Sequence, residues 1–174
     1  MNSPVLEVYN ISQPFLMEDK IMKLNPDYVR DILFYIEENV NYNTETIPPK
    51  HNELWFGKIY EDKYFENHDK QQLTEALNTM IEEEFIECAE PPHFIRKNLI
   101  SANITGLSYT GHNLLNNIRN DTVWNAVKQK AKKIGGISLS TLVSSASAVT
   151  TSLMSDPNAV QNLLNGVDNI KGMF

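Results

Sequence analysis

One cysteine in 174 residues, Cys88, excludes an intramolecular disulfide and sets the chain apart from disulfide-dense secreted scaffolds. A membrane span is missing too. The uncharged stretch 137–155 holds ten Ser or Thr, whereas a spanning helix needs roughly 20 predominantly apolar residues. The N-terminal segment has neither the basic start nor the apolar run of about 7 to 15 residues that marks a secretion signal. These absences together point to the cytoplasm. No GxSxG, GxxxxGK[ST] or GxGxxG sequence occurs, which leaves nucleophilic hydrolysis and nucleotide binding without a motif.

Metal ligands are equally sparse. His51, His68, His93 and His112 are scattered, and none stands at HxxxH or CxxC spacing from another ligand. Cys88 alternates with Ile86 as a buried strand residue does, with no cation beside it to lower its pKa. The Glu82-Glu83-Glu84 run reads as a solvated helix face before it reads as a cation site. No cofactor, metal or catalytic group is expected.

What is present is an ordinary globular composition, 41% hydrophobic and 21% charged, in a length that suits one core of roughly 100 to 150 residues plus an appendage. Charge is uneven. Residues 25–120 carry eight basic and 16 acidic groups, whereas residues 121–174 carry five basic and three acidic. An acidic body repels phosphate backbones at long range.

Residues 1–24 contain Pro4 and Pro14, lack periodicity and read as an arm. Asn25-Pro26-Asp27 supplies an N-cap, a proline at the first helical position and an acid for the helix dipole. A helix over 26–40 follows, with Val29, Ile32, Leu33, Ile36 and Val40 on one face. The aromatic stretch from Trp55 to Phe65 fits strand and short helix equally well. Asp69 and Gln72 resemble a capping box for a helix to about residue 84. Residues 85–90 and 99–107 are expected as two strands of a hairpin with a long tip. Further helices start near Tyr109 and at Asn120 or Asp121, and Gly135-Gly136 ends the second.

Beyond it, residues 137–174 read as a helical hairpin, its first arm carrying Leu139, Leu142, Ala146, Val149 and Leu153 as one narrow seam and its second carrying Val160, Leu163, Leu164, Val167 and Ile170. The seam suits a second copy of the chain or the chain's own body, and a homo-oligomer is the expectation.

The fold class is therefore α+β and mainly helical: an arm over 1–24, a body over 25–136 in the element order of a winged helix with a small β-hairpin, and the helical hairpin over 137–174. The segments Met22-Lys23-Leu24-Asn25-Pro26-Asp27-Tyr28-Val29-Arg30-Asp31-Ile32-Leu33, Leu107-Ser108-Tyr109-Thr110-Gly111-His112 and Asn117-Ile118-Arg119-Asn120-Asp121-Thr122-Val123-Trp124 resemble the bacterial and phage family called domain of unknown function 2513. Lys130-Ala131-Lys132-Lys133-Ile134-Gly135-Gly136 extends the likeness. The resemblance implies a phage or mobile-element setting in a bacterial host cytoplasm and brings no catalytic residues.

Three functional classes compete. In a DNA-binding winged helix the 69–84 helix enters the major groove, but here Lys70 faces Asp69, Glu75, Glu82, Glu83 and Glu84. The cations left for phosphate are Arg96, Lys97, Lys128, Lys130, Lys132 and Lys133, against the roughly 6 to 10 contacts that specific duplex binding uses. Membrane association, prompted by the lysines before the uncharged helix, ranks below DNA. The expectation is a non-enzymatic regulator or adaptor acting through an unidentified protein partner, with a winged-helix DNA-binding repressor as the alternative.

Overall fold

Helix α1, Pro26–Asn39, forms where the capping signals place it: the Asn25 side chain accepts from the Asp27 amide at 3.1 Å and Pro26 sits in the first turn. Its apolar face is fully buried, with Val29, Ile32, Leu33 and Ile36 at 0% exposure. These features come from a computed structural model of the protein, which describes residues 24–133, 138–156 and 158. The arm before Leu24, the Gly135-Gly136 stop and the second arm of the expected helical hairpin lie outside the described residues.

The ambiguous stretch after α1 contains both kinds of element. Strands β1, Tyr42–Asn43, and β2, Lys50–His51, pair as a small antiparallel ribbon; β3, Leu54–Trp55, precedes α2, Gly57–Glu61, and a 3-10 turn, Lys63–Phe65. Ile59 and Phe65 from α2 and the turn plug the core, at 0% and 4% exposure, with Tyr60 packed partly buried against it. Two anchors in so short a span leave no periodicity to read. Asp62 fixes the turn, accepting from the Tyr64 amide at 2.8 Å and from the Tyr35 hydroxyl at 2.9 Å.

Helix α3, Lys70–Glu82, is capped by Asp69, whose carboxylate accepts from the Gln72 amide at 2.9 Å. The expected box closes on one side only. The Gln72 side chain accepts from Asn25 instead, and the Asp69 amide donates to the Tyr28 hydroxyl, so the cap is stitched to the start of α1. At its other end the Phe85 amide donates to the Met80 carbonyl and the Glu84 amide to Ile81, with Glu84 at φ 59. This is a Schellman stop with glutamate in the left-handed position that glycine favours.

Strand β4, Ile86–Cys88, then pairs antiparallel with β7, Asn103–Leu107, and β3 completes the sheet in the order β3-β7-β4. Residues 99–107, expected as one strand, are two. β6, Asn98–Ser101, pairs with β5, His93–Ile95, to form a separate ribbon. The break falls at buried Ala102, whose carbonyl accepts from the Phe56 amide, so the chain leaves the ribbon there and joins β3.

Helices α4, Tyr109–Ile118, and α5, Asp121–Lys133, follow with caps from Ser108 and Asn120. α4 can lie against the α3–β4 corner because Gly111 has no Cβ, which would meet the Phe85 carbonyl oxygen. A polar and aromatic lattice binds α1 to the α4–α5 junction. Arg30 donates to the Arg119 carbonyl and to Asp121, both at 2.7 Å, while its guanidinium lies 5.2 Å from the Phe34 ring and 5.7 Å from that of Trp124. Asp27 accepts from Trp124 Nε1 and Lys128 Nζ, and Arg119 grips Glu37 with two hydrogen bonds.

These contacts fix an acid response. Burial works against the Asp27 carboxylate, but hydrogen bonds from Lys128 and Trp124 outweigh it and hold the group below its ordinary value of 3.8. Arg119 holds Glu37 below its ordinary 4.5. A carboxylate whose folded pKa is depressed gives stability that is complete above its unfolded pKa and is lost as pH falls through the folded one. Urea midpoints should therefore fall steeply below about pH 4. Asp27→Asn with Glu37→Gln should lower the midpoint at neutral pH and shallow that acid limb. An unchanged limb would show that other carboxylates set it.

Helix α6, Leu139–Ser155, packs on α5 and α4. Leu139, Leu142, Ala146 and Val149 are each at 0% exposure within one copy of the chain, and Leu153 packs partly buried against the same core. Of the two covers the seam suited, a second copy or the chain's own body, α4 and α5 supply the second within one copy. Small residues on α6 permit that close approach, and buried Ser145 shows that even the hydroxyl-rich side reaches the interior.

Candidate protein-docking site

The outer face of α3 adjoins β4 at its C-terminal end and is bonded to the turn between β5 and β6 through Asn78. Ala76, Leu77 and Met80 hold the helix against the core, leaving Lys70, Gln71 and Glu82 exposed and Glu75, Asn78 and Thr79 half-exposed. Gln71 and Glu75 are joined by a hydrogen bond of 3.0 Å. Glu83 and Glu84 continue the acidic edge past the helix end, and Glu87 and Glu90 extend it along the strand. None of Glu82, Glu83, Glu84, Glu87 or Glu90 has an ion-pair partner among the described residues.

Arg96 and Lys97 are the two central residues of the tight turn between β5 and β6, at φ 49 and 68 with Ile95 opposite Asn98. Both side chains are exposed. Such two-residue turns favour Asn-Gly, because at positive φ the Cβ of an L-residue crowds the following carbonyl oxygen, a cost that glycine escapes and asparagine offsets with a local hydrogen bond. Replacing Arg96 by Asn and Lys97 by Gly should raise stability by up to about 1 kcal/mol, seen as a higher urea midpoint. A lower midpoint would mean that the two long side chains support the turn. The tip is tied to α3 where Asn78 Nδ2 donates to the Lys97 carbonyl at 3.3 Å. Between them lies a cleft of about 210 Å³, and the buried Asn78 Oδ1 has no hydrogen-bond partner among the described residues.

A larger groove, about 510 Å³, runs from the end of α3 along β4 to the Pro91-Pro92 corner. Its floor is apolar, from Ile81, Ile86, Cys88 and Phe94, and Glu82, Glu84 and Glu90 stand at its rim. Cys88 is half-buried rather than enclosed, and burial raises its thiol pKa, which keeps it protonated at neutral pH.

The other expected cations divide among separate elements. Lys128 is a strut, bonded to Asp27 at 2.7 Å and 5.4 Å from the Trp124 ring centroid. Lys130, Lys132 and Lys133 occupy the last turn of α5, where they complement the helix dipole. Of these expected cations, Lys97 borders α3, bonded to it through its carbonyl, and Arg96 is its neighbour in the turn.

His51 lies tilted against Tyr42, His93 lies exposed on β5 and His112 is exposed on α4. Among the described residues no group of three His, Cys, Asp or Glu is placed to hold a metal ion. A contact that spacing does not show is His68 Nε2 to Asp31 Oδ2, 2.9 Å, under Tyr28, Tyr64 and Phe65. These partners come from α1 and the 3-10 turn, 37 residues apart for the bonded pair, and the ring surround gives the pair a packing role.

The model of a protein family described as Hypothetical protein (DUF2513) matches residues 23–138, two thirds of the chain. The chain belongs to this family. The match spans α1 to α5 and stops at Ser138, the N-cap of α6. No curated protein and no solved structure gives a match. The segments that carried the resemblance in sequence meet in space, since Asp27 and Arg30 from the first touch Arg119, Asp121 and Trp124 from the last. No helix among the described residues is long and apolar enough to cross a membrane.

Proposed function

We propose that this family member is a non-enzymatic regulator or adaptor of a phage or mobile element, working in the bacterial host cytoplasm through protein contacts on a winged-helix-like scaffold. The scaffold reading is supported by the order α1, β3, α2, α3, β4, β7 and by the sheet order β3-β7-β4. First, third and second strands lie side by side, with α3 in the place of a recognition helix and the β5–β6 ribbon as the wing. The observation that carries the choice of partner is the acidic edge. Glu82, Glu83 and Glu84 at the end of α3 have no ion-pair partner among the described residues, and Glu82 and Glu84 line a groove with an apolar floor.

The second reading, a DNA-binding repressor, is favoured by Arg96 and Lys97, which keep long basic side chains in a turn that disfavours them and are tethered to α3. Fluorescence anisotropy with random and host-promoter duplexes at about 0.15 M salt separates the two, because screening there acts beyond about 8 Å. Weak binding without sequence preference is expected. Tight, selective binding abolished by Arg96→Glu with Lys97→Glu would replace the adaptor by the repressor.

A further inference from the structure

We propose that the groove along β4 is a strand-addition site for an extended partner segment that alternates apolar residues with lysine or arginine. The inference rests on the adaptor reading and names the class of partner. Three observations carry it.

The first is an open sheet edge. β4 is the last strand in the order β3-β7-β4. Ser108 donates to the Phe85 carbonyl and Ala89 to that of Asn103, so these positions face β7. Ile86, next to Phe85 in the alternation and opposite Leu107, falls at a position whose amide and carbonyl point away from β7, towards the side of β4 that has no neighbouring strand in this sheet. Open edges are the usual template for adding a peptide strand.

The second is the floor. Cys88 and Phe94 are half-buried beside the edge and line the groove with Ile81 and Pro92. A strand laid there places alternate side chains on this floor.

The third is charge. Glu82 and Glu84 stand on the α3 side and Glu90 on the far side, all exposed and without an ion pair among the described residues. Carboxylates on both rims favour a segment whose remaining side chains are cationic and exclude an acidic one. The same charges oppose self-pairing through this edge, as in natural edge protection.

The probes are ten-residue peptides alternating valine with lysine, their glutamate counterparts, and a lysine peptide N-methylated on alternate amides, each titrated against the full chain. The sole cysteine supplies a local readout, since a peptide seated on β4 covers Cys88 and slows its alkylation by iodoacetamide. The lysine peptide is expected to bind at least tenfold more tightly than the glutamate one and to slow alkylation severalfold. N-methylation on the edge-facing amides should remove both effects. Glu82→Gln, Glu84→Asn and Glu90→Gln together should erase the lysine preference, with unchanged melting as the check on folding; asparagine tolerates the left-handed position of residue 84.

Equal binding of lysine and glutamate peptides, or indifference to N-methylation, overturns the proposal. So does binding that leaves Cys88 alkylation unaltered, which would place the peptide elsewhere. If these tests fail while a protein partner is still lost on substituting exposed α3 residues Lys70 and Gln71, the adaptor reading stands without this groove.

Discussion

A chain ending at Gly136 is expected to lose its cooperative unfolding transition. Leu139, Leu142 and Val149 are all at 0% exposure against α4 and α5. Burying a side chain of this kind stabilises by roughly 1.5 to 3 kcal/mol, so these three alone contribute roughly 5 to 9 kcal/mol against a typical total of about 5 to 15. The shortened chain also exposes the faces of α4 and α5 that α6 covers. Calorimetry should show a broad transition or none, and a hydrophobic dye should bind. Leu142→Ala in the full chain is the milder version, with a loss of about 2 to 5 kcal/mol. A shortened chain that melts sharply near the full-length temperature would make α6 an addition to a self-sufficient body. Light scattering bears on the same point, since Leu139, Leu142, Ala146 and Val149 are already covered within one copy of the chain.

The second large effect is expected at Arg30. Its side chain is 15% exposed, lies near two aromatic rings and donates to the Arg119 carbonyl. A charged hydrogen bond contributes about 1.5 to 3 kcal/mol and each cation–π contact about 0.5 to 2. Arg30→Ala should therefore cost about 3 kcal/mol, a fall of roughly 6 to 12 °C in melting temperature for a chain of this size. Arg30→Lys should recover little, because an ammonium lacks the planar fork that serves the carbonyl and the rings together. The ion pair to Asp121 is a minor part, since that carboxylate side chain is 86% exposed and exposed pairs contribute at most about 1 kcal/mol. A double-mutant cycle should give strong coupling of Arg30 to Trp124 and weak coupling to Asp121. Full recovery by lysine would assign the effect to charge alone.

Local chemistry made some of this legible in the sequence and left the rest hidden. Asn25-Pro26 and Asp69 marked the starts of α1 and α3 because caps act within three residues. The division of residues 98–107 into β6 and β7 depends on a bond from Phe56 to Ala102, far apart in the chain, and no alternation of apolar residues records it. The α6 seam showed in its spacing, but spacing tells only that a face is apolar, not whether its cover is another copy or α4 and α5. The basic residues were visible as a set, yet Lys128 proved to be a partner of Asp27, which only the packing of α5 on α1 reveals. The groove had two sequence traces, the alternation of Ile86 with Cys88 and the Glu82-Glu83-Glu84 run. All its lining lies within residues 81–94, but only the turn from α3 into β4 and on to the Pro91-Pro92 corner shows that these neighbours enclose a groove.

Protein contact at the acidic edge is the central claim, and crosslinking in a bacterial host tests it most directly, with protein and DNA recovered from the same cells and identified together. The expected result is a discrete protein partner, recovered with the wild-type chain and with Arg96→Glu/Lys97→Glu, and lost with Glu82→Lys/Glu84→Lys/Glu90→Lys. Recovery of specific DNA segments that disappear with Arg96→Glu/Lys97→Glu, alongside proteins indifferent to the glutamate substitutions, would contradict it.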